Sequence, residues 1–131
     1  MNEFIKNLIK EYKDDLEENN FGRIIYNCPP MFMQELLDTF ALANIDVPKN
    51  NSKIYADVCC FLLTYFREIA LLNIEWTHDY DLFTFRTSNN LTKEPQQFRD
   101  SLNSIGAEVA KIEQDYNGIC LVVIRIWNWS H

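Results

Sequence analysis

Apolar and polar positions follow a helical period of 3.6 through the first half of the chain and a period of two through much of the second. From Asn2 to Glu18, the residues Phe4, Ile5, Leu8, Ile9, Tyr12 and Leu16 fall on one face of a predicted helix. Asn19-Asn20-Phe21-Gly22 then supplies a stop. Arg23 to Asn27 is β-prone and predicts a short extended piece before Pro29-Pro30. Proline suits a first helical turn, where its missing N–H would be unsatisfied anyway, so a second helix is predicted from Met31 to about Asn44. Its inward positions are Phe32, Met33, Leu36, Leu37, Phe40 and Ala43. Asp46 to Ser52 reads as a loop, with Ser52 capping a third helix from Lys53 to about Asn73. That helix is apolar nearly all round, with Lys53, Asp57, Thr64, Arg67 and Glu68 in one narrow stripe, so it should be central and buried.

The period changes at Ile74. Ile74, Trp76 and His78 alternate with Glu75, Thr77 and Asp79, and Phe83, Phe85 and Thr87 alternate with Leu82, Thr84 and Arg86. The polar join Asp79-Tyr80-Asp81 makes these a hairpin. Thr92 opens a fourth helix with Pro95 in its first turn, Phe98, Leu102 and Ile105 inward, and Gly106 at its end. Glu108 to Gln114 and Ile119 to about Trp129 predict a second hairpin across Tyr116-Asn117-Gly118, because Asn-Gly tolerates the positive φ of a type I′ turn. The run Ile119 to Ile124 is apolar on both faces, which predicts a central strand covered on both sides. The pattern predicts one α+β domain over residues 1–131: three N-terminal helices, then a β-β-α-β-β unit forming a mainly antiparallel four-stranded sheet packed on helices.

Composition narrows the function classes. A chain of 131 residues with 47% apolar residues can bury a substantial core, which argues against disorder. No uncharged apolar run reaches the roughly 18 residues of a membrane span. The net charge of −7 argues against direct nucleic-acid binding, since Lys and Arg supply phosphate affinity. The segment Met1 to Lys10 is already amphipathic and charged, unlike a signal peptide, so a cytoplasmic location is expected. Frequent Asn, Ile and Lys suggest the AT-rich genome of a low-GC bacterium or its phage. Cys28, Cys59, Cys60 and Cys120 have no zinc-ligand spacing and are expected as free thiols, with no metal and no cofactor.

Catalytic constellations are scarce. With three glycines there is no phosphate-cradling loop and no nucleophile elbow. His78, with Asp79 or Asp81 as partner, is the one candidate base or ligand-binding group, although adjacent strand residues point to opposite faces. Cys60 lies on the polar stripe near Asp57, whose charge would raise a thiol pKa. No enzyme class is supported.

Surface features say more. Glu11, Asp14, Asp15 and Glu18 have the spacing of neighbours on a helix, in its C-terminal half, where the macrodipole disfavours anions by about 0.3–1 kcal/mol each. Such a break of local rules is expected where function decides, although a solvated face would look the same. On the second helix, Met31 and Leu42 fall on the polar side with Gln34, Glu35 and Asp38. Near the C-terminus, Trp127 and Trp129 share a strand face with Arg125; Trp127 is expected in the core and Trp129 at an interface. Together these features point to a small acidic inhibitor or binding protein, of toxin-immunity or phage counter-defence type. It would cover the basic surface of a protein partner, such as a nucleic-acid site, through Glu11, Asp14, Asp15, Glu18, Met31, Glu35, Asp38 and Trp129. A ligand-binding protein or enzyme using His78, and an oligomeric phage assembly subunit, are the alternatives. Homodimerisation through the last strand stays open.

Overall fold

The computed structural model describes residues 2–66, 68–88, 96–115 and 117–128. It has the α+β architecture that the change of period predicts, with boundaries that differ in instructive places. The first helical stretch is two helices, α1 (Glu3–Glu11) and α2 (Lys13–Glu17), separated at Tyr12, whose φ of −104° and ψ of 27° leave the helical region. Asn2 caps α1, its side chain accepting the Phe4 N–H. Asn19 ends α2 in the left-handed region (φ 58°), which Asn tolerates better than most residues. Two backbone bonds, Asn20 N–H to Asp15 C=O (2.7 Å) and Asn19 N–H to Leu16 C=O (3.2 Å), close the end in a Schellman arrangement.

Arg23 to Asn27 was expected to be extended; instead α3 (Phe21–Tyr26) is helical. A six-residue helix is unstable alone, and packing holds this one: Phe21, Ile24 and Ile25 are all buried. A 3₁₀ turn (Pro30–Phe32) leads into α4 (Met33–Leu42), which buries Met33, Leu36 and Phe40 and leaves Ala43 exposed. A second left-handed Asn, Asn44 (φ 57°), closes it in the same way, with Ile45 N–H bonded to Phe40 C=O at 2.8 Å.

The central helix α5 (Asn51–Tyr65) is capped by Asn50 rather than by Ser52. The Asn50 side chain accepts from Ser52 N–H (3.0 Å) and Lys53 N–H (3.2 Å). Ser52 is buried in the first turn, on the side that faces Tyr26. As expected, α5 is central and buries Ile54, Tyr55, Ala56, Val58, Cys59 and Leu62. It stops at Tyr65, not near Asn73, because Phe66 turns extended (φ −114°, ψ 149°). The remaining apolar run becomes the strand β1 (Ala70–Trp76).

Strand β2 (Tyr80–Thr87), helix α6 (Gln96–Ile105), β3 (Ala107–Gln114) and β4 (Cys120–Trp127) complete the fold. Thr92 and Pro95, expected at the start of α6, lie outside the described residues. Gly106 ends α6 at φ 107°, a conformation L side chains rarely adopt, and lets β3 begin at the next residue. The β3–β4 hairpin joins where expected but not through a type I′ turn at Asn117-Gly118: of these two residues only Gly118 takes a positive φ (79°), and Asp115 N–H bonds Ile119 C=O (2.9 Å). The Asp115 side chain accepts from the N–H groups of Asn117 and Ile119.

The sheet order is β1-β2-β4-β3, with every neighbouring pair antiparallel. Asp81, Phe83, Phe85 and Thr87 of β2 and Cys120, Val122, Ile124 and Ile126 of β4 are buried, and the apolar members join the core with α5, α3 and α6. The second face departs from expectation. Leu82, Leu121 and Val123 there are only half-buried and do not belong to the core cluster, so β4 is central in the sheet but helix-covered on one side. No helix of the described residues is long and apolar enough to cross a membrane.

Candidate protein-binding site

The open face of the sheet carries an interlocked group of partly exposed side chains. Period-two alternation sends Tyr80, Leu82 and Thr84 of β2 and Leu121, Val123, Arg125 and Trp127 of β4 to this side. Antiparallel register then sets Tyr80 opposite Trp127 and Glu108 of β3 opposite Arg125. The Arg125 guanidinium lies over both the Tyr80 ring (5.0 Å) and the Trp127 ring (5.4 Å), while the two rings meet edge to face at 5.4 Å. One oxygen of Glu108 accepts from Arg125 Nη1 at 2.6 Å and from Trp127 Nε1 at 3.0 Å. Each guanidinium–ring contact at such a partly exposed site contributes about 0.5–1 kcal/mol. More to the point, each member fixes the rotamer of the next, so the group is ordered before any partner arrives.

Trp127 therefore stands at the uncovered end of the sheet, 37% exposed, and not in the core as expected. The period-two pattern places Arg125 and Trp127 on one strand face. Tyr80, expected in the turn, and Glu108 join them only through strand register, which has no local signal in sequence. Trp129, expected at an interface, lies outside the described residues.

The helical acidic row is arranged differently from a continuous helix. Because the helix breaks at Tyr12, Asp14 and Asp15 occupy the first turn of α2, where the dipole favours anions. The conflict with the macrodipole therefore disappears for Asp14 and Asp15 and persists for Glu11, which ends α1, and Glu18, which follows α2. Asp15 faces Arg23 at 3.7 Å and accepts from Asn20, leaving Glu11, Asp14 and Glu18 as the exposed carboxylates. On α4, Glu35 accepts the Asn2 backbone N–H (2.9 Å) and Asp38 accepts from Gln34 (2.8 Å). Glu35, Asp38 and Leu42 border a shallow depression of about 480 Å³, and Leu42 is 88% exposed. Met31, 67% exposed, belongs to a different groove, beside β1.

His78, Asp79 and Asp81 do not converge. His78 and Asp79 are exposed in the β1–β2 turn, whereas Asp81 is 5% exposed on the core side of β2. Asn51 Nδ2 donates to Asp81 at 2.8 Å, a tie between α5 and the sheet. Burial raises the Asp81 pKa above the ordinary carboxylate value, and the Asn51 hydrogen bond opposes the shift. All four cysteines are free thiols. Burial pushes Cys28 up to about 12 and also raises Cys59 and Cys60, with Asp57 adding to the shift at Cys60, so these three stay protonated and are poor nucleophiles. Among the described residues, no group of three His, Cys, Asp or Glu side chains is placed to hold a metal ion.

No protein-family model, no curated protein and no solved structure matches the chain.

Proposed function

We propose that this protein is a small binding module that inhibits or sequesters a protein partner by covering its basic surface. The observation that carries the reading is the Tyr80–Arg125–Trp127 stack, braced by Glu108 on a sheet face that no helix of the described residues covers. Trp, Tyr and Arg are the residue types that dominate binding hot spots, and an ordered stack loses little further entropy on association. Leu82, Leu121 and Val123 extend an apolar centre beside it. The sign of the partner follows from charge. A chain at −7, with Glu11, Asp14, Glu18 and Asp38 exposed on the helical side, attracts cationic surfaces over a Debye length and repels anionic ones. A toxin-immunity or phage counter-defence inhibitor would need this combination of steering field and aromatic anchor.

The test is comparative capture from bacterial or phage-infected lysate with immobilised wild type, Trp127→Ala, and a triple reversal of Glu11, Asp14 and Glu18 to Lys. The reading expects a protein with a basic surface that wild type retains, Trp127→Ala loses, and the reversal variant loses most at low salt. Identical retention by all three proteins would refute it.

A further inference from the structure

A second binding feature lies at the edge of the sheet. The two edges are not alike. Strand β3 carries Glu108, Lys111 and Glu113, with Lys111 and Glu113 paired at 2.6 Å, and a bulge at Ala110; such charges and bulges normally protect an edge from pairing. Strand β1 has a bulge at Leu72 but a single charged residue, Glu75, in seven. The bulge leaves Leu72 52% exposed, and Trp76 is 57% exposed while its ring meets Tyr26 at 5.0 Å. Thr77 N–H bonds Tyr80 C=O (3.0 Å), so antiparallel alternation points the N–H and C=O groups of Ile74 and Trp76 away from β2, towards the open edge. Alongside β1 runs a groove of about 550 Å³ whose walls include Tyr26, Cys28, Pro30, Met31 and Leu71.

We propose that the β1 edge and this groove form one docking site for an extended, lysine- or arginine-bearing segment of a partner protein, added to the sheet as a fifth antiparallel strand. The open backbone groups specify an extended occupant, since only a strand can pair with both. The groove between Met31 and Tyr26, whose ring Trp76 meets, takes alternate apolar side chains on the helix side of the added strand. Charge specifies the sign: Glu68 borders the groove, Glu75 lies on the strand, Glu35 acts on Cys28 in the groove wall, and no Lys or Arg among the described residues lines it. A second copy fits badly, because a two-fold β1–β1 pairing would bring two chains of −7 together and double the carboxylates along one edge. The inference rests on the binding-module reading for the class of partner and adds the mode of contact.

The experiment titrates the ¹⁵N-labelled full chain with an acetylated, amidated peptide alternating lysine and valine, and follows amide hydrogen exchange at Ile74 and Trp76 by NMR. Controls are the glutamate-for-lysine peptide and a lysine–valine peptide interrupted by proline. The proposal expects at least about tenfold slower exchange at both amides with the lysine peptide, and at least about tenfold weaker binding for each control. Leu72→Lys, a change at an exposed position, should abolish the protection while the free chain keeps its spectrum. Absence of protection up to the peptide's solubility limit, protection at the β3 edge instead, or equal binding of the glutamate peptide would overturn it. So would a two-chain species in sedimentation that protects the same amides without peptide. Trp127→Ala should leave the protection unchanged. Partner capture retained by Trp127→Ala, with protection intact, therefore counts against the open-face stack alone, and capture lost in Trp127→Ala while the wild-type edge shows no protection counts against the edge alone.

Discussion

Asp81 gives the sharpest test of the physical account, because its two polar effects have opposite signs. The carboxylate is buried on the core side of β2 and accepts a hydrogen bond from Asn51 at the start of α5. Substitution by Ala removes the acceptor and leaves the part-buried Asn51 amide without it, which costs about 1–3 kcal/mol. In a chain of this length that corresponds to a Tm lower by roughly 3–12 °C. Substitution by Asn keeps an acceptor of the same shape and removes the charge that burial penalises. Because the folded pKa is raised, the folded state holds the proton more tightly than the unfolded chain does. Wild type therefore gains stability as pH falls from above the folded pKa towards the unfolded value near 4, while Asp81→Asn lacks that gain. At pH 7 the Asn variant should equal or exceed wild type, and the difference should shrink or reverse as the solution is acidified through that window. Urea unfolding of the three proteins at pH 7 and at successively lower pH measures it. An Asp81→Asn variant that is less stable than wild type by more than 1 kcal/mol at pH 7, and recovers towards acid, would show a carboxylate stabilised in its charged form. The nearby N-terminus of α5 would then outweigh desolvation, refuting the argument.

The other predictions concern positions where geometry and chemistry separate cleanly. Gly106→Ala should cost about 1–2 kcal/mol in urea unfolding through backbone strain at φ 107°, because the added Cβ meets Ile54 at an ordinary 3.5 Å. Arg23 and Asp15 are 3.7 Å apart, and Arg23 lies over the Tyr12 ring at 5.6 Å. A double-mutant cycle on Arg23→Ala and Asp15→Ala should give a coupling of no more than about 1 kcal/mol that fades in high salt. Leu42→Gln, at a position 88% exposed, should change stability by less than about 0.5 kcal/mol in thermal unfolding.

Where local chemistry decides, the sequence reading and the structure agree. Phe83, Phe85 and Thr87 alternate cleanly and are buried, Met33, Leu36 and Phe40 follow the helical period inward, and Gly106 ends α6. The departures arise where two local readings compete and distant packing chooses. Gly22, Ile24 and Ile25 read as a stop and an extended piece, yet burial of Phe21, Ile24 and Ile25 stabilises a helix of six residues. The apolar run from Phe61 to Ile74 suits helix and strand alike, and only Phe66, already extended, marks the change. The stack on the open face was half legible. Arg125 and Trp127 share a strand face by spacing, but Glu108 and Tyr80 reach them from other strands, through register. A burial argument also misled: an apolar run in a central strand can serve a surface as well as a core.

The most direct measurement on the central claim is calorimetric titration of the captured partner with wild type, Trp127→Ala and Arg125→Ala. If the stack anchors the complex, each variant should remain folded and lose at least about 2 kcal/mol of binding free energy, some thirtyfold in Kd. Losses within about 0.5 kcal/mol in both variants would place the partner elsewhere and contradict the account.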